Sequence, residues 1–168
     1  MGKVGITRIT VLVFVCIFIV GCSKERDKNE KVNTIQTYLE KEFTGPSDEL
    51  INVFKQKATY PPELKAYLED NYKPLVADLD NFVLKNFTLI YLRTAYENGY
   101  HLQPTNIDIQ KVDGIEEDAY DYEVAVQYTK DGQINTATVT GIMNISQNGK
   151  ISIIRNKDDR ELLEKMKR

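Results

Sequence analysis

The chain has 168 residues, with 22 Lys+Arg against 25 Asp+Glu, a formal net charge of −3 and a sequence pI of about 5.3. Apolar residues make up 42% and charged residues 28%. That balance excludes a disordered or collagen-like chain, and the lack of a basic surplus argues against a nucleic-acid partner.

Lys3 and Arg8 precede the first acidic residue, Glu25, and Ile9 to Val20 form an almost wholly apolar run of 12 residues. Crossing a bilayer takes roughly 20 apolar residues. A shorter run behind a positive n-region fits the h-region of a signal peptide. The run ends in Ile19-Val20-Gly21-Cys22, and the polar stretch Ser23-Lys24-Glu25-Arg26-Asp27-Lys28 follows at once.

This order resembles the lipobox of bacterial lipoproteins: an aliphatic residue, a small residue, then cysteine. The resemblance covers residues 1–22. It implies that the Cys22 sulfur receives a diacylglyceryl group and that the signal is cut between Gly21 and Cys22. The protein would then be held on the outer face of the cytoplasmic membrane through lipidated Cys22. The alternative is an uncleaved short anchor with an incidental cysteine. Cys16, inside the apolar run, would leave with the signal. The mature chain would hold 147 residues and the single cysteine Cys22, so an intrachain disulfide is excluded. Its 20 positive and 25 negative residues give a net charge of −5, which holds the domain off anionic headgroups. The expected organisation is a signal peptide over 1–21, a lipidated cysteine and polar tether over 22–30, and one domain over 31–168. A flexible tether over Ser23–Glu30 would reach about 16 Å.

Helices come first. Val32, Ile35, Leu39 and Phe43 recur at spacings of three and four and predict a helix over roughly Glu30–Phe43. Gly45-Pro46 breaks it, and Pro46 is expected to open the next helix, with Leu50, Val53 and Phe54 on its buried side. Pro61-Pro62 starts a third, with Leu64, Tyr67, Leu68 and Tyr72 on one face, and Pro74 stops it. Leu79, Phe82, Val83 and Phe87 suit a helix from about Asp78 to about Leu89. Residues 90–102 stay open between helix and strand, and Asn98-Gly99 marks a turn or helix C-cap.

From Asn106 the period becomes two, beginning with Ile107 and Ile109. Tyr120, Tyr122, Val124, Val126 and Tyr128 alternate with Asp121, Glu123, Ala125 and Gln127, the pattern of a half-buried strand. Asp131-Gly132 and Asn148-Gly149 are hairpin signals. Ala137, Val139, Met143 and Ile145 line one face of the next strand, and Ile151 and Ile153 belong to the last. Asp158 and Glu161 then form a capping box before Leu162, Leu163 and Met166.

The predicted class is α+β: N-terminal helices on a curved, antiparallel, four-strand meander, with a short C-terminal helix. The element order over Val32–Arg155 loosely resembles the nuclear-transport-factor-2-like and cystatin-like superfold. That resemblance implies helices on the concave side of the sheet and a cone that often holds a ligand. Tyr120, Tyr122 and Tyr128 share one strand face and would line that cone, or else form a plain core face.

Catalytic motifs are sparse. His101 is the one histidine, which excludes triads and histidine-rich metal centres and leaves a bland surface role or a lone acid–base role. No phosphate-cradling glycine loop and no G-x-S-x-G occurs. Asp78-Leu79-Asp80-Asn81 begins like a calcium loop, but Val83 and Leu89 stand where Gly and Glu are needed. Asp113, Glu116, Glu117, Asp118, Asp121 and Glu123 cluster near a predicted turn and read as a solvated loop or a weak calcium site. Ala137-Thr138-Val139-Thr140-Gly141 differs from the cystatin inhibitory hairpin in lacking its Gln and in lying mid-strand. Gly141 there suggests a bulge.

The expectation is a membrane-anchored, non-catalytic binding or interaction module with no cofactor or metal, whose partner is an unidentified protein or small molecule. The rivals are a small cone-fold enzyme with Tyr and Asp or Glu as acid–base groups, and a structural accessory of a cell-envelope assembly.

Overall fold

A computed structural model describes residues 20–56, 60–114 and 118–167, with side chains from Arg26 onward. Residues 1–19 of the expected signal, including Cys16, and Glu116 and Glu117 of the acidic cluster lie outside the described residues. Among those described, the helices α1 (Val20–Phe43), α2 (Asp48–Phe54), α3 (Pro62–Asn71), α4 (Leu79–Asn86) and α5 (Ile90–Asn98) come first. The strands β1 (His101–Lys111), β2 (Asp118–Lys130), β3 (Gln133–Ile145) and β4 (Ile151–Asp158) follow, and α6 (Arg160–Met166) closes the chain. The fold is α+β. No helix among the described residues is long and apolar enough to cross a membrane.

The expected stripe of α1 is buried at Ile35, Leu39 and Phe43. The helix differs from expectation at its start, since it extends back through the run read as a tether. The exposed Arg26–Glu30 pair and the Asp27–Lys31 pair, each spanning one turn, suit a helix rather than a coil. Lys31 is buried and donates to Asp27 (2.6 Å) and Asp118 (2.8 Å), and Asp118 also accepts from Lys111 at 2.7 Å. This chain of charges fastens α1 to the start of β2. It also corrects the reading of Asp118 as part of a solvated acidic loop.

Pro46 does not open α2. Ser47 is its N-cap and accepts from the Leu50 amide, because a hydroxyl can satisfy a free helical N–H. Pro62 does sit in the first turn of α3. Helix α4 stops at Asn86, short of Leu89, because Phe87 turns left-handed (φ 53°). Phe87, expected on the buried face, is 68% exposed. The open segment resolves into α5 with Gly99 as its left-handed C-cap, and then β1, which begins at His101 rather than near Asn106.

The sheet is a meander in the order β1-β2-β3-β4. Tyr120, Tyr122, Val124, Val126 and Tyr128 are buried, Asp121 and Glu123 are exposed and Gln127 is half-exposed, so the register of β2 is the expected one. Asp131 (φ 51°) and Gly132 (φ 76°) make the first hairpin turn. Ile151 and Ile153 both lie in the last strand, as expected. A register shift between Asn144 and Ile145 turns Ile153 outward, while Ile151 and Ile154 face the core. The capping box is a correction: Asp158 ends β4, and the N-cap, Asp159, makes no capping bond.

Both outer strands are partly covered. Gly45 exchanges two backbone hydrogen bonds with Leu102 at the start of β1, and β1 is irregular between Pro104 and Asn106. Leu75 and Ala77 bond the backbone of Ile151 at the start of β4. Further along, Thr140 pairs with Asp158 and Ile142 with Arg155, so Gly141 faces the bulged pair Asn156-Lys157. The bulge expected at Gly141 is present, with its extra residue on β4.

Candidate functional site

The helices pack on the inner face of the sheet, and the centre of that packing holds a carboxylate. Glu42 is 2% exposed. It lies on the buried stripe of α1, three residues after Leu39 and seven after Ile35. Its Oε1 accepts from the Leu89 amide at 3.4 Å, a long bond. Tyr72 lies just after α3, and its buried hydroxyl, which has no other partner, faces Glu42. Among the described residues Glu42 has no ion-pair partner. Burial pushes its pKa up to about 7, opposed by Tyr72, the Leu89 amide and the charge of Lys157.

Five tyrosines surround this carboxylate electrostatically: Tyr38 on α1, Tyr67 and Tyr72 at α3, Tyr91 on α5 and Tyr122 on β2. Desolvation raises the pKa of each, and Glu42 adds to it. They are therefore neutral donors or acceptors and bring no charge to balance a carboxylate. The Tyr91 hydroxyl donates to Asp159 at 2.7 Å. Lys157 pairs with Asp159 at 3.3 Å, donates to the Asn86 carbonyl at 3.4 Å and lies 5.3 Å from the centre of the Tyr91 ring.

The space left among Tyr38, Glu42, Asn86, Tyr91, Tyr122 and Lys157 is a cavity of about 10 Å³. That is about the room one water needs. Aromatic edges fill the rest: Tyr38 meets Tyr72 and Phe82 at ring-centre distances of 5.9 and 5.6 Å, and Phe43 meets Tyr91 at 4.7 Å.

Of the tyrosines expected to line a pocket, Tyr122 reaches this cavity and the other two lie to either side. Tyr120 stands toward the Lys31–Asp118–Lys111 charges, and Tyr128 packs on Tyr100 at 5.8 Å. Gly21 and Cys22 lie in the first turn of α1. His101 is exposed at the start of β1. Asp78 caps α4 by accepting from the Asn81 amide, so the calcium-like run serves as a helix start. Asp108, Asp121 and Glu123 line an open concavity of about 410 Å³ on the outer face of the sheet. Among the described residues no three His, Cys, Asp or Glu side chains converge as metal ligands.

Glu42 was not singled out in the sequence. Its position on the apolar stripe was the available signal. Compared with models of known families, with curated proteins and with solved structures, the chain matches none.

Proposed function

We propose that this chain is a lipid-anchored lipoprotein on the outer face of the cytoplasmic membrane whose α+β domain is a non-catalytic interaction module. The filled interior carries the reading. A 10 Å³ cavity admits water and excludes any organic substrate, so a functional contact has to be made from the surface. Among the described residues the most exposed large apolar side chains are Leu84 (78%) near the end of α4 and Phe87 (68%) just after it. Helices followed by a meander, with the inner face of the sheet packed, support the cone-superfold resemblance. The run from Lys3 and Arg8 to Gly21-Cys22 supports the anchor.

A cone-fold enzyme is the second reading, favoured by one observation, a buried carboxyl with a pKa near neutrality among tyrosines. It would need the interior to open.

Two measurements test the proposal. A fatty-acid analogue should label the wild-type protein and leave Cys22→Ser unlabelled and uncut; label on the variant overturns the anchor. A photo-crosslinking residue at position 87 in intact cells should give a discrete protein adduct that the same residue at position 123 does not. Equal adducts at both positions, or none at 87, overturn the surface assignment. A stable multi-protein adduct would mark an accessory of an envelope assembly.

A further inference from the structure

Residues 87–89, which connect α4 to α5, are the weakest part of the wall around Glu42. Phe87 (φ 53°) and Leu89 (φ 68°) are both left-handed, a conformation that bulky L-residues adopt only under local constraint. Between them, the Thr88 hydroxyl is buried and faces the Tyr38 hydroxyl of α1. The Phe87 ring points to solvent, while Leu89 is 5% exposed and closes over the interior. What ties this connector inward is the buried Leu89 side chain, the Thr88–Tyr38 contact and one long bond from the Leu89 amide to Glu42. The sheet on the opposite side is held by continuous ladders through β2 and β3.

We propose that residues 87–89 are a proton-operated latch: neutral Glu42 keeps the connector shut over the cone, and ionised Glu42 lifts it and lets water into the tyrosine-lined interior. This inference does not depend on the anchor or on the interaction reading.

The groups facing Glu42 explain why ionisation is not absorbed in place. Tyr38 on α1, Tyr67 and Tyr72 at α3, Tyr91 on α5 and Tyr122 on β2 are all held neutral. From α4, Asn86 is uncharged and already committed: its amide donates to the Phe82 carbonyl and its Oδ1 accepts from the Ile154 amide. From β4 comes the cation Lys157, engaged by Asp159 just ahead of α6. The Leu89 amide and Tyr72 favour the charged carboxylate, but burial outweighs them. Water is the remaining ligand, and the strained connector is the part that yields with fewest broken backbone hydrogen bonds. In the closed form a neutral carboxyl can donate to the Tyr72 hydroxyl while accepting from Leu89. The carboxylate can only accept from both, and among the described residues it has no ion-pair partner to balance its charge.

The test is hydrogen exchange on the full chain in detergent micelles, corrected for the intrinsic pH dependence of exchange. Moving Glu42 from a pKa of about 7 when closed to an ordinary value when open raises the opening equilibrium about thirtyfold between pH 5.5 and 8.5. Amides within 86–91 should lose protection by about that factor, β2 amides should not, and Glu42→Gln should remove the change. An equal change in Glu42→Gln, no change in the wild type, or a loss shared by β2 overturns the latch. Should Glu42→Gln fail to fold, carboxyl-labelled glutamate followed by NMR decides it. A Glu42 midpoint near 7 that coincides with loss of protection in 86–91 supports the latch, and a midpoint near 4.5 overturns it.

Discussion

The ring of Tyr122 occupies the place that a side chain on its cross-strand partner Gly141 would take. A Cβ on Gly141 would stand 2.6 Å from the Tyr122 Oη and 2.8 Å from its Cε1 and Cζ. The ring therefore lies flat over the neighbouring strand, beneath α1 and α5. Gly141→Ala should destabilise the domain by about 1–3 kcal/mol through overpacking. Because the clash is with one ring, Gly141→Ala in a Tyr122→Leu background should cost much less. A double-mutant cycle on denaturation midpoints checks this, and additive costs would place the strain elsewhere.

Glu42 makes stability depend on pH in an unusual direction for a carboxyl. Its folded pKa, about 7, lies above the model value of 4.5, so between those values the folded state binds more protons than the unfolded one. The stability linked to this group is fully present below about pH 4.5 and is lost as pH rises through 7. The difference is roughly 3 kcal/mol. Glu42→Gln should be near neutral at pH 5 and stabilising at pH 8, with a flatter profile. Chemical denaturation at the two pH values measures it, and a variant less stable at pH 8 would refute the assignment.

Asp118 works in the opposite sense. Its hydrogen bonds to Lys111 and Lys31 hold its pKa below the usual carboxylate value, so its contribution is present at neutral pH and is lost as pH falls through the folded value. The carboxylate is about one-third exposed, which keeps the effect near 1 kcal/mol. Asp118→Asn should lower stability by about that amount at pH 7 and by less at pH 3. A cost that is the same at both pH values would mean packing rather than charge.

Strand β2 offers a paired comparison. Val126 is fully buried and Glu123 points outward. Val126→Asp should remove several kcal/mol by placing an unpaired charge in the core. Glu123→Lys should stay within about 0.5 kcal/mol.

Phe87 should tolerate glycine. Its left-handed backbone suits Gly and its ring is mostly in water, so Phe87→Gly should be neutral or stabilising by up to about 1 kcal/mol. A clear loss of stability would show that the ring packs against the domain.

Fold class, the faces of α1 and β2 and both hairpin turns were legible because each rests on a local signal: a period of 3.6, a period of two, or a glycine at positive φ. What sequence reading missed is set by partners distant in the chain. Ile153 alternates correctly, and it is the register shift beside Asn144 that turns it outward. Phe87 continues the apolar spacing of α4, yet the chain has to reverse there so that Leu89 can reach Glu42. Glu42 differs locally from Glu40 only in lying on the apolar stripe of α1. Its burial follows from α3, α5 and the sheet closing around it.

The partly covered outer strands bear on how copies of the domain meet. An unpaired outer strand can add copy after copy by backbone hydrogen bonding. Here β1 is occupied at its start by Gly45 and interrupted by Pro104, while β4 is occupied at its start by Leu75 and Ala77 and bent at Asn156. Over residues 106–111 the outer edge of β1 has no backbone partner among the described residues. The covering at the strand starts therefore shortens, without closing, the edge on which a second copy could add.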